Sequence, residues 1–254
     1  LFQAIFGRNS EAPLPVLAPA TPGDCFWIAL EACRIAIKYM TPVIILSDGY
    51  LANGAEPWRV PGVNDLPAFP TKFRTEPEGF KPFMRDTTTL ARPWAVPGTP
   101  GLEHRIGGIE KQDVTGNINY EPENHDKMVR LRAAKVAGVV ADIPDVVPAG
   151  DPEGDVVIVG WGSTCGSITS ALHGLRAKGH KVGHIHLRHL NPMPKNLGAA
   201  LKRYKKVLVP EINLGQLSFI LRATYLVDAI SYSKVEGKPF KTSEIEKKVL
   251  EVMK

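Results

Sequence analysis

The stretch Pro42-Val43-Ile44-Ile45-Leu46-Ser47-Asp48-Gly49-Tyr50 decides the fold class of this chain. Its first five residues form a continuous apolar run, which is typical of a strand buried in a parallel sheet. The chain then leaves the sheet through Asp48 and Gly49 and stays irregular as far as Trp58. Because open α/β sheets bind ligands where strands end, we expect Ser47–Trp58 to border a ligand crevice.

Upstream of this run, the sequence predicts a short strand at Pro13–Pro19 and a helix from about Cys25 to Met40. The segment Thr21–Asp24 supplies a hydroxyl cap, a first-turn proline and an acidic residue, a combination that favours a helix start. The charged residues of the helix form one narrow stripe at helical spacing. We therefore expect most of its circumference to be buried, in part by another subunit or domain.

Residues 49–123 are rich in proline and glycine, which rules out long regular elements. They also contain many aromatic residues, whereas disordered tracts are usually poor in them. We predict an ordered, extended arm over residues 49–123 that wraps over another surface. A helix should follow from about Asn124 to Val140.

The last hundred residues alternate between predicted strands and helices. Strands are expected at Asp155–Gly160, Lys181–Leu190, Val207–Glu211 and Ala229–Tyr232, and helices at Ser167–Lys178, Leu197–Tyr204, Gly215–Leu226 and Ser243–Met253. This alternation predicts an α/β fold with a parallel, doubly wound sheet.

The formal net charge of +5 is concentrated near the C-terminus, where residues 195–254 hold 12 Lys and Arg against 6 Asp and Glu. Solvated helix ends explain this excess better than nucleic-acid contact, because no nucleic-acid motif accompanies it. No apolar run is long enough for a membrane span. The three cysteines form no CxxC pair, which disfavours a zinc site or an iron–sulfur cluster on this chain. We expect a cytoplasmic protein without nucleic-acid or membrane partners.

Two motifs in the last hundred residues have both functional and structural interpretations. Gly160–Gly166 follows a strand and opens a helix, so its amides are able to cradle an anion. Its G-x-G-x-x-x-G spacing differs from the dinucleotide fingerprint, and a tight turn that needs small residues is the favoured interpretation. His184 and His186 lie on one strand face and are able to bind a metal, but no nearby residue completes the ligand set. We favour a polar strand end whose imidazoles are hydrogen-bonded to neighbours.

The third motif, Gly101–Gly108, places Glu103, His104 and Arg105 between glycines inside the arm. A guanidinium binds two oxygens of a carboxylate or phosphate at once, and an imidazole is able to donate a further hydrogen bond. The alternative is a salt bridge within the loop. The residues themselves leave both interpretations open.

Several blocks together closely resemble the alpha subunits of 2-oxoglutarate:ferredoxin oxidoreductases, also called 2-oxoglutarate synthases. The blocks are Thr41–Leu51, Gly101–His104, His125–Lys135, Val159–Thr164, His189–Pro194 and Val209–Leu217. The resemblance implies a thiamine-diphosphate enzyme that decarboxylates a 2-oxoacid, acylates coenzyme A and passes electrons to ferredoxin. It places the diphosphate, its Mg²⁺ and a 4Fe-4S cluster in a beta subunit.

The resemblance also implies a domain organisation. Residues 1–123 would be the C-terminal part of a pyrimidine-binding domain with its arm, and residues 124–254 a domain like the transketolase C-terminal domain. Family alpha subunits extend further upstream, where the pyrimidine-contacting glutamate lies. We therefore expect this chain to be a C-terminal portion that is inactive alone, and no catalytic glutamate, cofactor ligand or metal ligand is assigned to it.

Within the resemblance, the Gly101–Arg105 loop comes close to the substrate, and several relatives carry an acid where this chain has Arg105. A cation there suits a substrate with a second carboxylate. We predict that Arg105, helped by His104, binds the distal carboxylate of 2-oxoglutarate. The alternatives are a relative that uses pyruvate or a branched-chain 2-oxoacid, and a non-catalytic module that only holds subunits together.

Overall fold

The computed structural model describes residues 1–69 and 71–254. Its helices are α1 (Phe2–Phe6), α2 (Asp24–Tyr39), α3 (Gly49–Ala52), α4 (Pro122–Gly138), α5 (Cys165–Ala177), α6 (Leu197–Leu201), α7 (Gln216–Tyr225) and α8 (Thr242–Val252). Its strands are β1 (Val16–Leu17), β2 (Ile44–Ile45), β3 (Ala149–Gly150), β4 (Gly154–Trp161), β5 (Val182–Leu187), β6 (His189–Asn191), β7 (Tyr204–Glu211) and β8 (Ala229–Ser233). Short 3-10 turns occupy Val63–Asp65, Val139–Asp142 and Gly162–Thr164.

The larger sheet has the strand order β3-β5-β4-β7-β8. Strands β5, β4, β7 and β8 run parallel, and β3 is an antiparallel edge strand that the sequence did not predict. Apolar side chains of α5 and α8 cover one face, and those of α6 and α7 cover the other. The predicted α/β class with a doubly wound sheet is therefore confirmed. Because β5 and β7 lie on opposite sides of β4, the strand order reverses between β4 and β7, which is where such sheets bind ligands.

The smaller sheet has the order β2-β1-β6, with β2 parallel and β6 antiparallel to β1. The prediction of one strand over Lys181–Leu190 was wrong in this respect. The strand breaks at Arg188, whose guanidinium binds the Asp24 carboxylate through contacts of 3.0 and 2.6 Å. The chain then continues as β6 in the other sheet, so residues of the C-terminal half complete the N-terminal sheet.

One further expectation was wrong in extent. The helix predicted to reach Tyr204 ends at Leu201, because Tyr204 is buried and already begins β7. The expectation that α2 is buried on most sides, in part by another subunit or domain, stays a prediction. Among the described residues, the buried side chains of α2 are Ile28, Ala32, Ile35 and Tyr39. Its Phe26 is 36% exposed. The apolar remainder of α2 is therefore free to contact another chain.

Among the described residues of the arm, 49–69 and 71–123, the regular elements are α3, one 3-10 turn, isolated bridges between single residues and the start of α4. It folds back over α2, where the Trp94 indole Nε1 donates a hydrogen bond to the Ile37 carbonyl at 2.9 Å. Pro70 lies in this predicted arm but outside the described residues. The division of the chain at residues 123 and 124 stays a prediction. In the described part of the chain, no helix combines the length and apolar character needed to span a bilayer.

Candidate functional site

Asp48 joins the two sheets at the ends of their strands. One carboxylate oxygen accepts hydrogen bonds from the Tyr50 and Leu51 amides at 2.9 and 3.1 Å, so Asp48 caps α3. The other oxygen accepts a hydrogen bond from the Ser163 amide at 3.4 Å. Because α3 follows β2 and Ser163 follows β4, this carboxylate ties the exits of strands from different sheets together.

The turn after β4 requires glycine at two positions. Gly162 has a φ of 60°, in the left-handed region that favours glycine. A Cβ on Gly160 would lie 2.4 Å from the Ile168 Cδ1 atom. The Thr164 hydroxyl closes the turn by accepting from the Trp161 amide at 3.3 Å and donating to its carbonyl at 2.8 Å. The structure thus supports the interpretation of Gly160–Gly166 as a tight turn.

A cleft of about 890 Å³ opens at this junction, and we call it the junction cleft. Its walls come from Asp48–Glu56, from the first turns of α5 and from the loop before α8. The prediction that Ser47–Trp58 borders a ligand crevice is therefore supported. The Thr21 and Ser167 hydroxyls line the cleft, but they already donate their protons to the Glu56 carboxylate and the Phe240 carbonyl. The other uncharged or basic polar side chains of the lining are those of Tyr50, Asn53, Ser163, Ser170, Lys238 and Thr242. These hydroxyls, the ammonium group and the α5 amides are donors suited to a polar or anionic ligand.

The two acidic side chains of the junction cleft already have partners. Asp48 caps α3, and the Glu56 Oε1 atom accepts hydrogen bonds from the Thr21 hydroxyl at 2.7 Å and the Gly23 amide at 2.5 Å. Magnesium is held by carboxylate and phosphate oxygens. Among residues 1–69 and 71–254, no three His, Cys, Asp or Glu side chains group closely enough to hold a metal ion. The described residues therefore fit an organic or anionic ligand group but do not fit a diphosphate-bound magnesium ion.

His104 and Arg105 lie on the exposed surface of the arm, and neither lines the junction cleft. The His104 Nδ1 atom lies 2.7 Å from the Leu102 carbonyl oxygen and donates a hydrogen bond to it in the tautomer that carries a proton on Nδ1. The His104 ring lies 5.4 Å from the ring of Phe80. Within the described part of the chain, Arg105 has no ion pair, so the alternative of a loop salt bridge finds no partner for it there. The predicted role of both residues stays a prediction.

His184 and His186 differ from the expected polar strand end. The two rings lie 5.6 Å apart on β5. His184 is buried, and the ring nitrogens of His186 are buried although the residue as a whole is partly exposed. Within the described residues, the Nε2 atom of His184 and both ring nitrogens of His186 lack hydrogen-bond partners. Burial lowers the pKa of His184 to about 4. Burial, helped by the positive charges of His184 and Arg188, lowers the pKa of His186 to about 3. Both imidazoles are therefore neutral near pH 7.

Two buried polar groups were missed in the sequence. Glu211 is fully buried at the end of β7, beside the point where the strand order reverses. The Nη1 atom of Arg8 is also buried, and no partner for it lies in residues 1–69 and 71–254. The sequence carried one signal for Glu211, because an acid closes an apolar strand and Asn213 and Gly215 follow in a turn. Nothing comparable marked Arg8.

Two families match the chain, each over a different part of it. Residues 2–122 match the family described as "Pyruvate flavodoxin/ferredoxin oxidoreductase, thiamine diP-bdg". Residues 154–245 match the family described as "Pyruvate:ferredoxin oxidoreductase core domain II". The second match contains the turn after β4 and the Glu211 carboxylate, and the first contains Asp48.

Individual relatives extend this likeness along the whole chain. The 2-oxoglutarate oxidoreductase subunit KorA of Mycobacterium tuberculosis is 56% identical over 96% of this chain, which spans 37% of that relative's length. The 2-oxoglutarate synthase subunit KorA of Methanothermobacter marburgensis is 25% identical over 98% of this chain and 67% of its own. The solved 2-oxoglutarate:ferredoxin oxidoreductase of Magnetococcus marinus has a TM-score of 0.94 and 35% identity over 100% of this chain and 45% of that chain.

The first family match contains β1 and β2 of the smaller sheet, and the second contains β4, β5, β7 and β8 of the larger sheet. The solved relative aligns with 100% of this chain. The sequence resemblance to alpha subunits is therefore confirmed. The chain belongs to the 2-oxoacid:ferredoxin oxidoreductase family, with the KorA-type alpha subunits as its relatives.

Proposed function

We propose that this chain serves in the alpha subunit of a 2-oxoglutarate:ferredoxin oxidoreductase. The reaction breaks the C1–C2 bond of 2-oxoglutarate, releases CO₂, joins the succinyl group to the coenzyme A thiol and passes two electrons to two ferredoxins. The same groups would serve the reverse carboxylation. The observation that carries the proposal is the whole-chain likeness to the Magnetococcus marinus enzyme, which was solved with 2-oxoglutarate, coenzyme A and succinyl-CoA bound.

The junction cleft is proposed as the wall that this chain contributes to a shared active site. Thiamine diphosphate, when bound there, supplies the electron sink for decarboxylation. The match of residues 2–122 to a thiamine-diphosphate-binding family supports this assignment. Following the family resemblance, we assign the Mg²⁺ ion, the diphosphate contacts and the 4Fe-4S cluster to a beta subunit. A cytoplasmic location, suggested by the cysteine pattern, stays a prediction.

Exposed apolar side chains on the arm favour contact with a partner subunit. Several apolar side chains are largely exposed there, among them Val60 (75%), Val63 (86%), Ile106 (64%) and Tyr120 (80%). Groups of exposed apolar side chains commonly mark protein–protein contacts. We therefore propose that the arm packs against the beta subunit and carries His104 and Arg105 to the substrate.

Replacing Arg105 by Ala in the assembled complex is expected to lower kcat/KM for 2-oxoglutarate by roughly tenfold to over a hundredfold, because a charge-assisted hydrogen bond is worth about 1.5–3 kcal/mol. The kcat/KM for pyruvate should change little, since pyruvate has no distal carboxylate. The measurement is steady-state kinetics with both substrates. Arg59→Ala, which changes an exposed arginine of the same arm, is the matched control. An unchanged preference for 2-oxoglutarate would contradict the role of Arg105.

The function itself is tested by assembling the chain with its partner subunit and following ferredoxin reduction spectroscopically. We expect reduction that requires both 2-oxoglutarate and coenzyme A. Reduction with pyruvate in place of 2-oxoglutarate would favour the pyruvate-using alternative, to which the two family descriptions lend support. A correctly assembled complex that reduces ferredoxin with neither 2-oxoacid would favour the non-catalytic module.

A further inference from the structure

A cavity of about 340 Å³ lies between the arm and helix α4. One acidic side chain, Glu110, contributes to its lining. Five basic side chains also line it, and we call them the cationic pocket: Arg85, Arg92, Lys111, Arg132 and Lys135. The cavity shares no lining residue with the junction cleft, so it is a separate feature of the chain.

Within the part of the chain that the structure describes, carboxylates lie beside two of these five cations. The Arg85 Nε atom is 3.6 Å from the Asp113 Oδ1 atom, and Asp113 also pairs with the Lys127 ammonium group at 2.8 Å. The Arg132 Nη1 atom is 3.4 Å from the Glu110 Oε1 atom. Both contacts are long for ion pairs, and each carboxylate also contacts a side chain outside the pocket: Asp113 contacts Lys127, and Glu110 contacts His125.

The other three cations have no ion pair among residues 1–69 and 71–254. Each is instead held in place by a backbone carbonyl: Arg92 by Pro82 at 3.4 Å, Lys135 by Met40 at 3.0 Å, and Lys111 by Ile109. A guanidinium carries five N–H donors and an ammonium three, so most of these donors are unused. The pocket therefore holds a surplus of positive charge together with free hydrogen-bond donors.

The side chains that carry this surplus charge are partly shielded from solvent. Lys111 is 7% exposed, and the Arg85 side chain is 11% exposed. Burial, followed by the positive charges of Arg85, Arg92 and Arg132, lowers the pKa of Lys135 to about 8. Clustered cations without counter-charges destabilise a folded protein, because each has lost water without gaining an opposite charge. An anion bound in the pocket would remove this cost.

We propose that the cationic pocket binds the phosphate group of a small molecule. The three cations without ion pairs match a doubly charged oxyanion better than a single carboxylate. The planar forks of Arg92 and Arg132 suit the tetrahedral oxygens of phosphate, and Lys111 and Lys135 add point charges. The site is distinct from the junction cleft and does not depend on the proposed oxidoreductase function.

Inorganic phosphate is the probe that tests this site. Thermal unfolding of the assembled protein is followed during a phosphate titration, with ionic strength held constant by potassium chloride. We expect a saturable rise in Tm with phosphate and a much weaker response to acetate. The double variant Arg92→Gln/Lys135→Gln should weaken the apparent phosphate affinity by about tenfold or more. Arg130→Gln is the matched control, since Arg130 lies exposed on α4, the helix that also carries Lys135, and pairs with Asp126 outside the pocket.

An NMR measurement on the unsubstituted protein tests the proposal even if the double variant does not fold. Isotope-labelled methyl groups on the lysines report the pKa of Lys135 by NMR. Phosphate should raise this pKa, because a bound dianion stabilises the charged ammonium group. The proposal is overturned if phosphate produces no saturable rise in Tm, if acetate acts as strongly, or if the pKa of Lys135 does not change. An equal phosphate affinity in a folded double variant would also overturn it.

Discussion

Replacing Glu211 by Gln is expected to lower the free energy of unfolding by roughly 2–4 kcal/mol. The Glu211 side chain is fully buried. Its carboxylate accepts hydrogen bonds from the Trp161 indole at 3.2 Å, the Asn213 amide group at 3.1 Å, and the Leu217 and Ser218 backbone amides at 2.8 and 3.1 Å. A glutamine has one acceptor oxygen instead of two, so its NH₂ group would face an N–H donor and leave that donor unsatisfied.

Urea unfolding measures this effect, and the slope of the transition should stay unchanged. Glu251→Gln is the control, because Glu251 is a half-exposed acid of α8 that pairs with Lys248 at 3.2 Å. The control should change the free energy of unfolding by less than about 0.5 kcal/mol. If Glu211→Gln lowers the free energy of unfolding no more than the control does, the four hydrogen bonds of Glu211 do not stabilise the contact between the end of β7 and the first turn of α7.

Lowering the pH from 7.5 to 5 is expected to destabilise the protein through His184 and His186. The unfolded chain takes up protons at both rings below about pH 6.5, whereas the folded protein does so only near pH 4 at His184 and pH 3 at His186. Stability is therefore lost as the pH falls through this window. One pKa unit corresponds to about 1.4 kcal/mol, so the pair should remove roughly 2–4 kcal/mol at pH 5.

The free energy of unfolding, measured by urea between pH 7.5 and 5, tests this prediction. The double variant His184→Leu/His186→Leu should flatten the pH dependence, and His173→Gln, an exposed histidine of α5, should not. Measurements below pH 4.5 would mix in Glu31. Burial alone would raise the pKa of Glu31, but hydrogen bonds from Arg34 and His189 lower it to about 2. The stability that Glu31 contributes is therefore lost only below pH 4.5. A wild-type stability that does not change down to pH 5 would show that the rings are accessible to protons.

The sequence predicted the elements that carry a long hydrophobic pattern. Strands β4 and β7, helices α5 and α8 and the crevice beside Ser47 were recognisable because apolar runs and turn residues follow one another there. Strands β3 and β6 were not, since two or three residues show no alternation. The break at Arg188 depends on Asp24, which lies 164 residues away. A pair of residues so far apart in the chain produces no pattern in the sequence around either of them.

In the candidate site too, local features were predictable from the sequence, whereas contacts between distant segments were not. Asp48 was recognisable as a residue at a strand exit, but its contact with Ser163 crosses 115 residues. The histidines of β5 were recognised as a pair, but the sequence did not show that their ring nitrogens are buried without hydrogen-bond partners among the described residues. The cationic pocket combines three separate segments, so no spacing within the chain indicates it.

One competition assay tests the central claim most directly. The assembled complex receives equal concentrations of 2-oxoglutarate and pyruvate, together with coenzyme A and oxidised ferredoxin, and mass spectrometry quantifies the acyl-CoA products. We predict that succinyl-CoA is the main product and that its amount matches the ferredoxin reduced, one product for two electrons. Mainly acetyl-CoA, or no acyl-CoA from a correctly assembled complex, would contradict the assignment of this chain to a 2-oxoglutarate-oxidising enzyme.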